Sequence, residues 1–329
     1  MEPKKYRRGT AREYRRRIQR VLAHIVENLD RDLRGESLAE LACFSRFHFH
    51  RVFRGMLGEG VAALVKRLRL ERAAFGLREG KASVTQLALE AGFENLESFS
   101  RAFKGAYGIP PSVFGRSEAP NPRIRVSNGV HWDMGGTPMD FESPAAPGEG
   151  FGLRLVKRPA ARIAFVRHVG PLDQCGEAWD RLLGVLGVEG WLGGDVDFFG
   201  ICYDNPDEVP VEALRYDACA TVPAHFAGFE GLELGELPGG DFAVTTHFGA
   251  YARIGESWER LFGAWLPGSG YEPADNPCFE QYLNSPESCA EEDLCTDLFL
   301  PIRPLAHMNP DSPSSDDRFR PETRPATGE

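Results

Sequence analysis

Residues 83–114, SVTQLALEAGFENLESFSRAFKGAYGIPPSVF, decide the fold of the first part of the chain. Ser83 opens a Ser-x-x-Gln capping box, which predicts that a helix begins there. Gly92 permits a tight turn, and Asn95 is a suitable N-cap for a second helix. Gly108 and the two prolines that follow end this helix, because proline cannot continue it. Two helices that meet across a glycine-containing turn predict a helix-turn-helix motif.

The same pattern occurs a second time upstream. Ser37-Leu-Ala-Glu40 is another capping box, and residues 45–58 repeat the spacing of residues 95–108. Between the two copies, residues 61–77 have apolar side chains at helical spacing and five charges on the other face, so they predict a rigid linking helix. A further capping box predicts a helix over about residues 10–33, which would brace the first motif. The first part of the chain is therefore expected to be all-α.

The charge is unevenly distributed along the chain. Residues 1–118 carry 23 Lys and Arg against 14 Asp and Glu, a net charge of +9. The remaining residues carry a net charge of −19, and the whole chain carries −10. A basic amino-terminal third joined to an acidic remainder is typical of a DNA-binding domain attached to a second domain.

The cysteines and the apolar runs exclude several other classes of protein. The seven cysteines form no CxxC pair, so we expect reduced thiols and neither a metal site nor a cofactor. The sequence has no apolar run of eighteen residues, and its basic start lacks the apolar segment of a signal peptide. These features predict a soluble cytoplasmic protein that does not bind membranes.

Residues 12 to about 116 resemble the DNA-binding domain of AraC/XylS-family transcription factors. The resemblance rests on the doubled motif, on Arg69-Leu-Glu-Arg-Ala in the linking helix, on Phe99-Ser-Arg-Ala-Phe-Lys and on Gly108-Ile-Pro-Pro-Ser. It implies that residues 1–116 form a domain of two helix-turn-helix motifs that binds double-stranded DNA. It also implies RNA polymerase as a further partner.

The first recognition helix would present its outward side chains to the major groove. These side chains are Arg46, Phe47, His50, Arg51 and Arg54. The resemblance implies that Phe47, His50 and Arg51 contact bases or thymine methyl groups. It implies phosphate contacts for Arg46 and Arg54. Arg51 is the leading candidate for a base contact, because a guanidinium can bind guanine O6 and N7 together.

The second recognition helix has a less basic surface. Its corresponding side chains are Leu96, Glu97, Ser98, Arg101 and Lys104. Glu97 could accept a hydrogen bond from cytosine N4, could repel a phosphate, or could be an ordinary surface carboxylate. We expect both recognition helices to face one side of the duplex, one helical turn or roughly 34 Å apart. A monomer could then read an asymmetric site.

The composition changes after the first domain. Residues 117–150 are rich in Pro, Gly and Ser and predict a linker, with a short strand around residues 124–126. Residues 305–329 have little apolar content and are expected to be a disordered tail. The segment between them, residues 151–304, should form the second domain.

An internal repeat with an offset of 79 residues runs through the second domain. Matched pairs are Pro159 and Pro238, His168 and His247, Gly170 and Gly249, Trp179 and Trp258, Leu182 and Leu261, Tyr203 and Tyr282, and Asn205 and Asn284. Each copy predicts two strands, a helix and two further strands. Such a duplication favours an α+β domain with one sheet, a pseudo-twofold axis and a crevice between the two helices.

The second domain resembles GyrI-like effector-binding domains. The resemblance rests on Phe165 to Gly170, Phe199-Gly-Ile-Cys-Tyr-Asp-Asn-Pro, Leu214-Arg-Tyr-Asp-Ala-Cys, Phe279-Glu-Gln-Tyr-Leu and Thr296-Asp-Leu-Phe-Leu-Pro-Ile. It implies a glutamate at the bottom of the crevice, and Glu280 is the matching residue. The first copy has Ile201 at this position, so the two copies differ where a ligand would bind.

A carboxylate among aromatic side chains can bind a cationic or amphipathic ligand. The candidate ligand-binding residues are Glu280, Tyr282, Tyr203, Trp258 and Trp265, with Trp179 as a further possible wall. Each has a structural alternative. The regular repetition of Trp179 and Trp258 is also typical of core packing, and His168 and His247 could satisfy strand-end hydrogen bonds. Glu280 could be exposed.

Together these features predict a transcription regulator that binds specific DNA sequences and senses a small lipophilic or cationic molecule. We do not expect an enzyme. One alternative is a hydrolase in which Glu280 acts as general base beside Tyr282. Another is a protein-interaction module, by analogy with gyrase inhibition, whose acidic surface mimics DNA.

Overall fold

The computed structural model describes residues 4–80, 82–116, 121–133, 140–143, 152–192, 196–204 and 209–305. The side chains of residues 4–8 and of Phe47 lie outside this description. The predicted disordered tail lies, apart from Leu305, outside the described residues as well. Of the helices that are described, none combines the length and the apolar character needed to cross a bilayer.

The described residues of the N-terminal domain form seven helices. They are α1 (Lys4–Glu27), α2 (Gly35–Leu41), α3 (Arg46–Leu57), α4 (Val61–Glu79), α5 (Val84–Glu90), α6 (Leu96–Tyr107) and α7 (Pro111–Phe114). The first helix-turn-helix motif consists of α2 and α3, the second consists of α5 and α6, and α4 links them. The predicted all-α domain with two motifs on a linking helix is confirmed.

Side-chain caps set the boundaries of the second motif. The Ser83 hydroxyl oxygen accepts a hydrogen bond from the backbone N–H of Gln86 at 3.2 Å. The Asn95 side-chain oxygen accepts one from the N–H of Ser98 at 2.8 Å. Gly108 ends α6 with a φ of +77°, a conformation that glycine adopts without steric cost. The predicted boundaries of these two helices are confirmed.

Two other predicted capping boxes are wrong. The first motif begins at Gly35 rather than Ser37, and its N-cap residue, Arg34, makes no side-chain cap bond. Thr10 is buried inside α1, which begins at Lys4 and ends at Glu27. The basic residues before Thr10 are good helix formers, so the helix continues through them instead of starting at the threonine.

The linking helix α4 buries two of the charges that were predicted to face solvent. Arg67 donates hydrogen bonds to Glu59 and to the carbonyl of Val130, and Glu71 is fully buried. Glu71 accepts from Arg67 at 3.3 Å and from the backbone N–H of Trp132 at 2.8 Å. Burial is tolerated because both charges are paired and hydrogen-bonded.

The partners of these charges come from the predicted linker. Its described residues pack along α4 and the end of α3: the N–H of Ile124 donates to Glu71 of α4 at 2.9 Å, and Asn128 donates to the carbonyl of Leu57 of α3 at 2.9 Å. The short strand predicted around residues 124–126 is wrong, because this segment is irregular. Its backbone is bonded to the Glu71 carboxylate rather than to a neighbouring strand.

The described residues of the C-terminal domain contain nine strands and two α-helices. The strands are β1 (Leu153–Arg158), β2 (Ala161–Val169), β3 (Phe198–Cys202), β4 (Arg215–Thr221), β5 (Glu233–Leu237), β6 (Gly240–Phe248), β7 (Tyr271–Pro273), β8 (Phe279–Tyr282) and β9 (Cys295–Pro304). The helices are α8 (Gly176–Val188) and α9 (Ile254–Arg260), and α9 continues into a π-helical segment, Leu261–Trp265.

The sheet order reveals the predicted pseudo-twofold axis. Eight strands form an antiparallel sheet in the order β1-β6-β9-β8-β3-β4-β2-β5, and β7 pairs with the end of β9. The repeat relates β1 to β5, β2 to β6, β3 to β8 and β4 to β9. When each strand is replaced by its counterpart, the same order is obtained, read from the opposite edge of the sheet. The axis therefore runs between β3 and β8, where Gly200 is paired with Glu280. The predicted α+β fold with a duplicated unit is confirmed.

The two domains share one apolar core. Tyr14 and Ile18 of α1 and Phe53 of α3 belong to the same cluster of buried side chains as Phe262 and Leu266 of the C-terminal domain. The Tyr14 hydroxyl donates to the carbonyl of Tyr271 at 3.1 Å, and Arg17 forms an ion pair with Glu272 at 3.4 Å. The N-terminal domain is thus fixed against the second repeat by packing and polar contacts.

Candidate functional site: an aromatic crevice and two recognition helices

A carboxylate held by two donors lies in the middle of the sheet. One oxygen of Glu280 accepts a hydrogen bond from the indole N–H of Trp258, at 2.9 Å, and the other accepts one from the Tyr282 hydroxyl, also at 2.9 Å. Glu280 and Tyr282 are two residues apart on β8, so both point to the face of the sheet that carries α8 and α9. Trp258 projects from α9.

The hydrogen bonds continue to the other helix. The Tyr282 hydroxyl lies 3.0 Å from the hydroxyl of Tyr216 on β4, which accepts from the indole N–H of Trp179 on α8 at 3.0 Å. Tyr251 packs edge to face on Tyr282, with ring centroids 5.4 Å apart. We call this set the aromatic crevice. Its members are Glu280, Trp258, Tyr282, Tyr216, Trp179 and Tyr251.

Gly200 provides the room for this network. It is paired with Glu280 across the axis, and a Cβ at this position would lie 2.5 Å from the Tyr216 hydroxyl and 2.6 Å from the Tyr282 hydroxyl. Such distances are shorter than any ordinary contact. The absence of a side chain at Gly200 therefore lets the two tyrosine hydroxyls meet beneath the carboxylate.

Burial keeps the crevice tyrosines protonated. It raises the pKa of Tyr282 and Tyr216 well above 10, and the nearby Glu280 carboxylate raises both further. Burial also raises the pKa of Tyr251, with smaller contributions from Cys289 and then Glu280. The tyrosines can consequently donate hydrogen bonds to an acceptor near neutral pH but do not supply a base.

The structure brings together three of the five residues predicted to bind a ligand: Glu280, Tyr282 and Trp258. It places the other two elsewhere. The Tyr203 ring packs against the guanidinium groups of Arg167 and Arg215. Trp265 stacks on Tyr271 in the core shared by the two domains. Gly200 and Cys202 face the crevice, so alternation turns Tyr203 to the other face of the sheet, where it packs against the cluster that contains Phe199 and Ile201.

Other sequence-based interpretations are resolved by hydrogen bonds. For Trp179 and Trp258 the sequence allowed either core packing or a place in the crevice wall. Both donate their indole N–H to crevice residues. His168 contacts the carbonyl of Pro171 at 2.9 Å, and His247 contacts that of Ala250 at 3.1 Å. These two histidines make the expected strand-end contacts. The sequence did not identify Tyr216 as a site residue, because only the pairing of β4 with β3 and of β3 with β8 brings it beside Tyr282.

The second recognition helix, α6, presents its predicted side chains to solvent. Leu96, Glu97, Arg101 and Lys104 are exposed, and Ser98 is half-buried, with its backbone N–H bonded to the Asn95 side chain. On the opposite face, Phe99 and Phe103 are fully buried against α5 and α7. This orientation agrees with the prediction, while the DNA contacts themselves remain a prediction.

The first recognition helix, α3, is arranged differently. The guanidinium carbon of Arg51 lies 5.3 Å from the ring centroid of Trp258 and 5.9 Å from that of Phe262. Arg54 donates to Glu259 of α9 at 2.9 Å. His50 is 5% exposed and packs edge to face on Phe49, so the outward orientation predicted for it is wrong. Arg46 is exposed and pairs with Glu36 at 2.8 Å.

Two glycines let α3 cross the C-terminal domain at close range. A Cβ at Gly55 would lie 2.6 Å from the backbone nitrogen of Gly263 and 3.1 Å from the carbonyl oxygen of Glu259. The two helical backbones are therefore in direct contact, a distance that only glycine allows. We call this arrangement, α3 against α9 and the π-helical segment, the docking contact. It was not predicted, because it joins residues over 200 positions apart.

The end of α3 also covers a cysteine beside the crevice. Cys278 is 4% exposed, and its sulfur lies 4.0 Å from Nδ1 of His48. His48 donates through Nε2 to the carbonyl of Ala274 at 2.7 Å, since a carbonyl can only accept. Burial lowers the pKa of His48 to about 4 and raises that of Cys278 to about 11. His48 was not singled out from the sequence.

Comparisons with known proteins agree with this architecture. Residues 38–117 match the family model of a helix-turn-helix domain, and residues 153–303 match that of a GyrI-like small molecule binding domain. The chain therefore combines a DNA-binding domain with a small-molecule binding domain, which is the composition of a ligand-sensing transcription regulator.

The similar proteins include two DNA gyrase inhibitors and one solved domain of a response regulator. A DNA gyrase inhibitor of Erwinia billingiae is 30% identical over 154 residues, which cover 46% of this chain and 96% of that protein. A DNA gyrase inhibitor of Escherichia fergusonii is 34% identical over 146 residues, covering 43% and 92%. The C-terminal domain of AraT, a response regulator from Geobacillus stearothermophilus, is 28% identical over 31% of this chain and 85% of that one, with a TM-score of 0.29. The chain belongs to the GyrI-like family and carries an AraC-type helix-turn-helix domain.

Proposed function

We propose that the protein is a transcription regulator that binds a specific DNA sequence and whose affinity for it responds to a lipophilic cation. The observation that carries the proposal is the position of Glu280. Its carboxylate lies among the aromatic rings of the crevice and is held in place by Trp258 and Tyr282. Aromatic faces and a carboxylate attract a cation, while the surrounding rings favour an apolar body.

The DNA-binding half of the proposal rests on the two helix-turn-helix motifs and on charge. The net charge of +9 over residues 1–118 favours a polyanionic partner, and α6 exposes Arg101 and Lys104. RNA polymerase is a proposed further partner, because a regulator of this class acts where the polymerase binds. Phosphate contacts would make the affinity fall steeply as salt concentration rises.

Calorimetry with tetraphenylphosphonium tests the effector half. Replacing Glu280 by Gln keeps the size of the side chain but removes its charge, so the affinity should fall about tenfold or more. Glu256→Gln is a matched control, since Glu256 is an exposed carboxylate on α9 paired with Arg253 at 2.9 Å. Equal affinity of the wild type and Glu280→Gln would contradict the proposed ligand class.

Selection from randomised duplexes at low ionic strength tests the DNA half. The proposal expects the full-length protein to enrich one sequence, and it expects Arg101→Ala to weaken binding to that sequence. Enrichment of no duplex by any variant of the protein would overturn the assignment as a regulator.

The hydrolase alternative is not favoured by the geometry of the crevice. Both Glu280 oxygens already accept hydrogen bonds, and burial holds the neighbouring Tyr282 protonated. A second candidate function, inhibition of DNA gyrase, is supported by the similarity of the C-terminal domain to gyrase inhibitors. A supercoiling assay with purified gyrase tests it, and unchanged supercoiling at saturating protein would contradict it.

A further inference from the structure

The docking contact and the aromatic crevice meet at one side chain. Trp258 donates its indole N–H to Glu280, and the face of the same indole lies against the guanidinium of Arg51. Arg51 belongs to α3, the first recognition helix. A residue predicted to read bases is therefore in contact with the wall of the proposed ligand site.

Alternation along the central strands places α3 at one end of the crevice. Gly200 and Cys202 of β3 lie on the same face as Glu280 and Tyr282 of β8, because Gly200 is paired with Glu280 and side chains two residues apart on a strand share a face. Cys278 directly precedes β8, two residues before Glu280. At this end, Cys202 and Cys278 border a cavity of about 130 Å³ whose other walls include His48 and Arg51. The recognition helix thus lies next to the start of the strand that carries Glu280.

The docked position of α3 is incompatible with reading DNA. A recognition helix must insert into the major groove, which is about 12 Å wide and admits one helix with its side chains. In the docking contact, the backbone of α3 at Gly55 touches that of Gly263, and Arg54 is bonded to Glu259. The groove cannot accommodate the helix while α9 and the π-helical segment cover it.

We propose that α3 is an autoinhibitory element in which Arg51 acts as an internal cation at the edge of the effector site. This inference rests on the proposed function and names its regulation. A cationic effector that binds against Trp258 and Glu280 takes the aromatic face on which Arg51 lies. The docking contact then loses one of its interactions, the equilibrium shifts towards the state in which α3 is released, and both recognition helices become available to the duplex.

The balance between the docked and released states of α3 determines the apparent affinity for DNA. The apparent dissociation constant equals the intrinsic one divided by the fraction of molecules in the competent state. If about one molecule in ten has α3 released, complete release raises the affinity for the duplex about tenfold. Variants that weaken docking without touching DNA-binding residues should therefore bind the selected duplex more tightly.

Gly263→Ala is the sharpest such variant. The added methyl group lies in the C-terminal domain and would collide with the backbone of Gly55, so the docking contact cannot close. Gly255→Ala is the matched control, because Gly255 is on α9 and an added Cβ would have no atom within 4 Å. We expect Gly263→Ala to bind the duplex about tenfold more tightly than the wild type, and Gly255→Ala to match the wild type.

A second pair of variants keeps the test independent of any folding defect in the alanine variant. Glu259→Gln removes the ion pair with Arg54, which lies at a half-exposed surface where neither side chain supports the core. Glu256→Gln makes the same change of charge on the same helix without touching α3. Tighter duplex binding by Glu259→Gln than by Glu256→Gln would support the proposal.

The accessibility of Cys278 reports on the docking contact directly. His48 and Arg51 cover this thiol while α3 is docked. Labelling with iodoacetamide, followed by peptide mass mapping, should modify Cys278 slowly in the free wild type. It should become faster when the duplex is bound and in Gly263→Ala.

The outcomes separate this inference from the proposed function. Equal duplex affinities for all four variants and the wild type, together with a Cys278 that stays protected in the saturated DNA complex, would overturn autoinhibition and leave a regulator that reads DNA with α3 docked. Failure of every variant to select any duplex would overturn the proposed function as well.

Discussion

Substituting Gly200 by Ala tests whether the crevice network depends on the space at the pseudo-twofold axis. The new methyl group would lie 2.5 Å from the Tyr216 hydroxyl and 2.6 Å from the Tyr282 hydroxyl, whereas ordinary contacts begin at 3.4 Å. Each hydroxyl must therefore retreat by almost 1 Å. A shift of this size breaks the 2.9 Å hydrogen bond that Tyr282 donates to Glu280 or forces the strand to move.

The expected magnitudes follow from these contacts. A hydrogen bond to a charged group contributes about 1.5–3 kcal/mol to holding that group in place. If the bond from Tyr282 holds the Glu280 carboxylate in its binding orientation, losing it should weaken tetraphenylphosphonium binding by the same free energy, about tenfold to a hundredfold. Overpacking a buried site costs a further ~1–3 kcal/mol of stability. For a domain of this size, each kcal/mol lowers the melting temperature by roughly 2–4 °C.

Calorimetry and thermal unfolding measure the two effects separately. Gly184→Ala is the matched control, because Gly184 lies on α8 and an added Cβ would have no atom within 4 Å. The control should keep the wild-type affinity and melting temperature. If Gly200→Ala also kept both, the tyrosine hydroxyls would not need the space that glycine leaves, and the reasoning about the crevice would be refuted.

Three further predictions concern the N-terminal domain. Glu71→Ala should lower the free energy of unfolding by about 3–5 kcal/mol in urea titrations, because it leaves buried donors without their acceptor. The control Glu40→Ala, at an exposed position on α2, should change it by no more than about 0.5 kcal/mol. Because the docked pKa of His48 is about 4 against an ordinary 6.5, the docked state keeps its full stability above pH 6.5 and loses it as the pH falls towards 4. Duplex affinity should accordingly rise more between pH 7.5 and 5.5 in the wild type than in His48→Gln. Arg101→Ala should weaken duplex binding with or without effector, as measured by fluorescence anisotropy, and an undiminished affinity would exclude α6 from the interface.

Local signals in the sequence predict most of the fold. The side chains of Ser83 and Asn95 cap their helices as expected, because a cap depends only on residues three positions apart. The repeat of 79 residues predicts the symmetric sheet, since two copies of one unit prefer equivalent environments. The capping signal at Thr10 fails because the residues before it form helix equally well.

Contacts between distant segments could not be predicted in this way. The buried charge of Glu71 is satisfied by backbone groups of a segment that reads as a flexible linker. The candidate site is similar: Glu280 and Tyr282 share a strand and were identified together, but their bond to Trp258 depends on how α9 crosses the sheet. The position of Arg51 depends on packing between the two domains. The sequence motifs of each domain carry no information about this packing.

The linkage between the two ligands tests the central claim most directly. The affinity for the selected duplex is measured with and without saturating tetraphenylphosphonium, and the affinity for tetraphenylphosphonium is measured with and without saturating duplex. If the cation releases α3, both affinities must increase by the same factor, because thermodynamic coupling is reciprocal. Two ligands that bind tightly but do not change each other's affinity would contradict the coupling of the crevice to the recognition helix.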